Sequence, residues 1–306
     1  MNWFFIALIG PLLYATTNHI DKILLEKYFK HGGVGTILIL SSFVAILALP
    51  FIFFADPSVL DVDGIKILAL AVVGILNVLV LWFYLQAIKE EEASIVIVFY
   101  QLVPVFGYIL GYFILGEILT QIQLISMAII ILGTSVISFE VDSENKFKLR
   151  KKTVLPMLAA CLCWALEAVI FKSVAIQENV WRSLFWEDLS LVLVGIILFL
   201  FIRSYRTNFI SAIKGNSKVV LSLGILNEFL YILGNIVFAV AYMLAPVALV
   251  LLTDSFQSIF ALLIGIFLTM FFPKISVEKI QAKHIWQKVI AILITGIGTY
   301  LLFLSK

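Results

Sequence analysis

Charge is what this 306-residue chain has least of: Asp, Glu, Lys and Arg together make up 13% of it, about half the share usual in a soluble domain. Without that polar coat, the 63% of residues that are apolar cannot all be hidden in one core, which excludes a soluble globular protein. Histidine is nearly absent. His19, His31 and His284 are scattered, so they offer no metal constellation. Only two cysteines occur, Cys161 and Cys163. At i and i+2 of a helix they point to different faces, which leaves packing as their role rather than a disulfide or metal site. The net charge of +2 is too small to suggest nucleic acid as a partner. Neither Gly-x-Gly-Asp, Gly-x-Ser-x-Gly nor His-Glu-x-x-His occurs, and no phosphate loop of the Gly-x-x-x-x-Gly-Lys-Ser/Thr kind is present. The chain is therefore expected not to be an enzyme, not to hydrolyse ATP and to need no cofactor.

What is abundant is uninterrupted hydrocarbon; mean hydropathy is +1.13. Ten long stretches are apolar and nearly free of charge: roughly 3–26, 34–55, 65–87, 93–116, 120–139, 153–175, 183–203, 218–243, 246–272 and 284–304. Each reaches the length of about 20 residues that a helix needs to cross the hydrocarbon layer. Lipid offers no partner to an unpaired backbone group, so these stretches must be helical. The expected fold is an all-α integral membrane protein of ten spans. The first span lacks a basic start and an Ala-x-Ala-like end, and so reads as retained rather than as a signal peptide. Three connections read as surface loops: 140–153, 203–218 and 273–284.

The tetrapeptide Gly-Ile-Leu-Asn occurs at 74–77 and again at 224–227. At the same shift of 150, Tyr14, Thr17 and Lys22 fall on Trp164, Glu167 and Lys172. At a shift of 154, Tyr84 and Ala87 fall on Phe238 and Ala241. The chain reads as two five-helix repeats, 1–139 and 153–306, joined by a basic linker at 140–152. Because five is odd, the halves must be inverted relative to one another and enclose a central cavity, the plan that gives secondary transporters two related gates. Seventeen of the 21 Lys and Arg residues fall in the odd-numbered connections. The positive-inside rule then places the 140–152 loop in the cytoplasm and both termini outside a cell (inner or plasma) membrane.

The run 82–133 carries Tyr84 and Ala87 as a Tyr-x-x-Ala turn, small residues Ala93 and Ser94 at a re-entry, Pro104 in the fourth span and Leu-Gly-Glu at 115–117; the fifth span closes with Gly133. In these features the chain resembles the EamA family of the drug/metabolite transporter superfamily. In the second half Ser258 stands where Pro104 stands in the first, and Phe271-Phe272-Pro273 replaces the Gly-Glu element. The resemblance implies ten spans in two repeats and transport of small metabolites such as amino acids, sugars or amines. Relatives are commonly drawn with both termini in the cytoplasm, opposite to the charge count here.

Five acids sit inside apolar spans: Glu167, Glu187, Asp188, Glu228 and Asp254. A carboxylate mid-helix costs about 2.5–3.5 kcal/mol on insertion scales, and such groups usually face a bundle interior or a wet cavity. Lys172 lies near a span end, where it is expected to snorkel or cap, and Glu117 reads as a structural helix terminus. At about 100° per residue, Glu228, Tyr231, Asn235 and Tyr242 share a face of the eighth span. Trp164, Glu167 and Phe171 do so on the sixth, and Tyr14, Thr17 and Asp21 on the first. Asp254, Gln257 and Ser258 cluster on the ninth, and Tyr100, Gln101 and Pro104 on the fourth, which Pro104 is expected to kink. Glu187 and Asp188 lie near a span end, where burial and exposure are equally open. Gly74 and Gly224 are expected to permit close helix approach, and Asn77 and Asn227 either to bond helix to helix or to line the cavity.

The expected substrate-binding set is Tyr14, Thr17, Asn77, Tyr100, Gln101, Trp164, Glu167, Glu228, Tyr231, Asn235, Asp254 and Gln257, with Glu228 and Asp254 as candidates for carrying protons. Acids in a cavity disfavour anions, while Trp164, Trp186, Tyr100, Tyr231 and Tyr242 suit an ammonium through cation–π contacts worth about 0.5–2 kcal/mol. The expected function is secondary active transport of a small cationic or zwitterionic molecule, by a monomer or homodimer in a lipid bilayer, with protons as a coupling partner. A channel or lipid scramblase is the main rival reading, with an intramembrane enzyme and a scaffold or sensor behind it.

Overall fold

A computed structural model describes residues 2–24, 33–90, 99–138, 151–271 and 282–305. Among these residues the secondary structure is entirely helical. We label the helices α1 (Asn2–Ile23), α2 (Gly33–Ala45), α3 (Ala48–Ala55), α4 (Gly64–Glu90), α5 (Val103–Leu115), α6 (Gln121–Ser138), α7 (Lys151–Ala175), α8 (Val180–Phe201), α9 (Arg203–Leu244), α10 (Val247–Asp254), α11 (Gln257–Phe271) and α12 (Ala282–Leu304). Among the described residues seven helical segments are long and apolar enough to cross a membrane, and three shorter apolar ones cover 100–115, 121–136 and 289–304. Exposed Phe51, Phe113, Phe201 and Ile65 form the apolar outer surface that lipid requires.

Several elements depart from a plain reading of the sequence. The second span breaks at Ile46-Leu47 between α2 and α3, and the ninth breaks at Ser255-Phe256 between α10 and α11. Such interruptions are tolerated in membranes where protein surrounds them, as at the buried Ser255, whereas Ile46 and Leu47 are half exposed and Leu47 N–H keeps a bond to the Val44 carbonyl. The segment 203–218, expected as a loop, is helical. The 42-residue α9 would span about 63 Å if straight. Yet the Tyr205 ring packs on Gly35 while Leu40 packs on Gly224, points about 28 Å apart along one helix but only about 8 Å along the other. α9 therefore bends, laying its first turns across the ends of α2 and α8, where Phe209 meets Phe43 and Phe199. The linker at 140–150, the 273–281 connection, Ala93 and Ser94 lie outside the described residues.

The Tyr84–Ala87 stretch, read as a turn, lies inside α4 with both residues buried. Pro104 follows a 3₁₀ turn at Tyr100–Leu102. It occupies the first turn of α5, where its missing N–H would have had no helical partner. Gly116 ends α5 with a left-handed φ of 68°, a conformation that glycine adopts without a Cβ penalty. The turn folds the Glu117 carboxylate back over Gly111.

α1 packs on α9, and α4 on α7; α4 packs on α8, and α2 on α9; α5 packs on α7, and α10 and α11 on α1. α6 pairs with α12, α5 with α10 and α2 with α8. Contacts gather the N-terminus, the 56–63, 116–120, 176–179 and 245–246 connections and the C-terminus on one face of the bundle: Phe4 meets Phe303 at 5.2 Å, and Asn179 donates to Asp56 at 2.8 Å. We call this the first face. α1 descends from it to the second face, where α2 begins.

Candidate functional site

The first face is closed by two polar clusters. Lys172 Nζ, at the end of α7, donates to Glu117 Oε1 at 2.6 Å and to the Ala245 carbonyl at 2.7 Å. Glu117 Oε2 in turn accepts the Val247 N–H at 2.7 Å. The lysine, expected to snorkel or cap, is 7% exposed and caps, tying α7 to the α5–α6 and α9–α10 turns. In the second cluster Arg182 donates to Glu178 at 2.9 Å and to Ser58 at 2.9 Å, and Lys66 donates to Glu178 at 2.7 Å. Trp186 closes the same corner by donating to the Val59 carbonyl at 2.7 Å. The Ser58 hydroxyl and then Asn179 hold the Asp56 carboxyl below its ordinary range. Lys66 and then Arg182 do the same for Glu178.

Below this closure lies a cavity of about 110 Å³, enough to hold water or a small solute. Its walls come from late positions of α1 and α4 and early positions of α2, which sets it toward the second face. α1 supplies Tyr14, Thr17, Asn18 and Asp21; α2 supplies Ser41 and Ser42; α4 supplies Asn77 and Tyr84; α7 supplies Trp164 and Glu167; α9 supplies Asn227, Glu228, Tyr231 and Asn235. Tyr100 and Gln257 complete it. The helical period explains the convergence, since Thr17 and Asp21 are one turn apart on α1, as are Asn227 and Tyr231 on α9. A second chamber of about 30 Å³ shares Tyr14, Trp164, Glu167 and Asn235 with the first and adds Glu187, Phe171 and Tyr242.

Of the twelve residues expected from sequence, ten line the larger cavity: Tyr14, Thr17, Asn77, Tyr100, Trp164, Glu167, Glu228, Tyr231, Asn235 and Gln257. The other two stand behind it. Gln101 accepts from the Thr134 hydroxyl at 2.8 Å, a helix-to-helix bond. Asp254 is buried at the end of α10. In the orientation that satisfies its amide, Gln257 donates to Asp254 at 3.2 Å and accepts from Asn18 at 2.7 Å, so that acid is held one residue away from the cavity. Glu187 and Asp188 are buried, at 5% and 6% exposure. Asp21 is legible as part of the α1 face but not as a cavity acid, Tyr84 only as part of the Tyr-x-x-Ala element, and Asn18, Ser41 and Ser42 carry no reading from sequence. The doubled serine inside the apolar run Leu38–Ala45 is a sequence signal for Ser41 and Ser42.

Hydrogen bonds tie these side chains into pairs across helices. Tyr14 donates to Asn235, Asn77 donates to the Tyr231 hydroxyl at 3.1 Å, and Asn227 donates to Asp21 at 2.8 Å. Both asparagines of the repeated tetrapeptide thus bond between helices and line the cavity at once. Their glycines sit at close contacts: a Cβ on Gly74 would stand 2.7 Å from the Glu187 carbonyl, and one on Gly224 2.7 Å from Leu40. Around the cavity Tyr14 lies 5.5 Å from Tyr231 and Tyr100 lies 5.3 Å from Trp164, ring centre to ring centre. Three carboxyls line the larger cavity, and no Lys, Arg or His is among the described residues lining either chamber.

Comparison with known proteins agrees with this architecture. A solved structure described only as "Crystal structure of protein" is similar in fold, with a TM-score of 0.62 at 14% identity over 99% of this chain and 96% of the other. No curated protein matches. The model of the EamA-like transporter family matches residues 1–139. Apolar helices, a polar chamber buried among them and that match agree: this is a multi-pass membrane protein whose residues 1–139 are similar to the EamA-like transporter family of the drug/metabolite transporter superfamily.

Proposed function

We propose that the chain is a secondary active transporter of ten spans that carries a small cationic or zwitterionic molecule by alternating access. The observation that carries this reading is the cavity itself. It is lined by Asp21, Glu167 and Glu228, and no cationic side chain is among the described residues lining it, so a positively charged solute meets uncompensated acceptors and an anion meets repulsion. The size of the cavity, about 110 Å³, sits below the usual range for drug-sized ligands and favours a small amine or amino-acid-like cargo.

Alternating access is supported by the packing. Exchanging the first five spans for the last five maps α4·α7 onto α9·α1, α4·α8 onto α9·α2, and α5·α7 onto α10/α11·α1, while α6·α12, α5·α10 and α2·α8 map onto themselves. Inverted repeats produce such a pattern and give two related gates. Here the first-face gate is shut by the Lys172 and Arg182 clusters, and the cavity lies toward the other side. With the basic connections cytoplasmic, both termini lie outside and the cavity is on the cytoplasmic side of a closed outer gate. Glu228, at the cavity wall with one carboxylate oxygen unpartnered, is the better placed of the two proton candidates; Asp254 acts only through Gln257.

The test is reconstitution into liposomes with radiolabelled ethylammonium as cargo. Saturable uptake, competed by amines and not by phosphate or sulfate, supports the carrier. Flux that is linear in concentration, or equal competition by anions, refutes it.

A further inference from the structure

The end of the cavity nearest the second face holds oxygens that want donors and have none. Asn227 gives its Nδ2 to Asp21 Oδ1 at 2.8 Å, which fixes the amide and turns its Oδ1 away as a pure acceptor. That Oδ1 has no partner, and neither has Glu228 Oε1. Asn227 is 8% exposed and Glu228 2%, and both line the cavity beside Asp21. A buried acceptor left without a donor is costly, so the pattern calls for something the protein does not itself supply.

The groups around this end define what that is. Ser41 of α2 reaches Glu228, Asp188 of α8 and Asp21 of α1 lie within its electrostatic range, and Tyr84 of α4 faces Asp21. Among the described residues no lysine, arginine or histidine lines the cavity. Ile37, Leu38 and Leu81 close the sides with hydrocarbon. With the carboxyls ionised, they and the amide oxygen only accept, so the complementary group carries both positive charge and several N–H donors.

We propose that Asp21, Asn227 and Glu228 form a subsite for the N–H-bearing cationic head of the cargo, a primary ammonium or a guanidinium. The assignment rests on the cavity being the cargo site and adds its selectivity. A quaternary ammonium carries the same charge but has no N–H to donate, and this subsite rejects it. The cargo's remaining atoms then lie against Tyr14, Tyr231 and Trp164.

The test uses the purified full chain in detergent, titrated with ethylammonium and with tetramethylammonium at matched ionic strength, binding being read as thermal stabilisation. The expected result is saturable stabilisation by ethylammonium and binding of tetramethylammonium weaker by about tenfold or more. Glu228→Gln and Asn227→Leu each weaken ethylammonium binding by about tenfold, with unchanged elution on size exclusion. Equal binding of the two cations, binding of neither, or full ethylammonium affinity in Glu228→Gln overturns the subsite. The wild-type comparison decides the matter even where a variant does not fold. Because binding is read without flux, preserved discrimination with no transport sinks the carrier reading alone, and transport without discrimination sinks the subsite alone.

Discussion

Lys172 and Glu117 meet at 2.6 Å, with side chains only 9% and 15% exposed, although 55 residues separate them. Both carry further bonds, Lys172 to the Ala245 carbonyl and Glu117 to the Val247 N–H. The pair therefore fixes the turn between α9 and α10 to the ends of α5 and α7. Removing one partner strands a buried charge, which costs about 3–5 kcal/mol. Lys172→Met is expected to lower thermal stability in detergent by that order, and Glu117→Gln/Lys172→Met to recover most of it. Additive losses in that double-mutant cycle would remove the clasp from the account.

The two glycines of the repeated tetrapeptide face different obstacles. A Cβ on Gly74 meets the Glu187 backbone carbonyl at 2.7 Å, whereas one on Gly224 meets the tip of the Leu40 side chain at 2.7 Å. A side chain can turn aside and a helix backbone cannot. Gly74→Ala is therefore expected to cost about 1–3 kcal/mol and Gly224→Ala less, as read from melting temperatures. The reverse order would contradict the packing of α4 on α8.

The Asp56–Arg182 corner makes a prediction about pH. Asp56 and Glu178 sit below their ordinary values of 3.8 and 4.5, held there mainly by Ser58 and Lys66 respectively. Folded values below unfolded ones mean that both groups stabilise the folded state above the ordinary values and lose that effect as pH falls from there through the lowered folded ones. Stability should fall as pH drops below about 4.5, and the acid-induced loss should be smaller in Arg182→Gln. A variant as acid-sensitive as the wild type would show that the corner contributes nothing.

How far the sequence could be read depended on whether a signal was periodic or local. The spans were legible because long charge-free runs leave a membrane chain no alternative to helix. The cavity faces of α1, α7 and α9 were legible because Tyr14, Thr17 and Asp21, or Glu228, Tyr231 and Asn235, recur at helical spacing. The helix at 203–214 was hidden behind Gly215-Asn216-Ser217, which reads as a turn, although Tyr205, Phe209 and Ile213 form the stripe that packs on the bundle. Asp254 and Gln101 show the limit of phase arguments. The break at Ser255-Phe256 resets the phase of the ninth span, and Thr134, remote in sequence, claims Gln101.

The central claim, that an acid-lined chamber carries cations between the two faces, is tested most directly by counterflow. Liposomes containing the protein and loaded with unlabelled ethylammonium are placed in labelled ethylammonium. The account predicts uptake that overshoots equilibrium, saturates with concentration, and is reduced by about tenfold in Glu228→Gln. Uptake that ignores the internal amine and rises in proportion to concentration would identify a pore rather than a carrier.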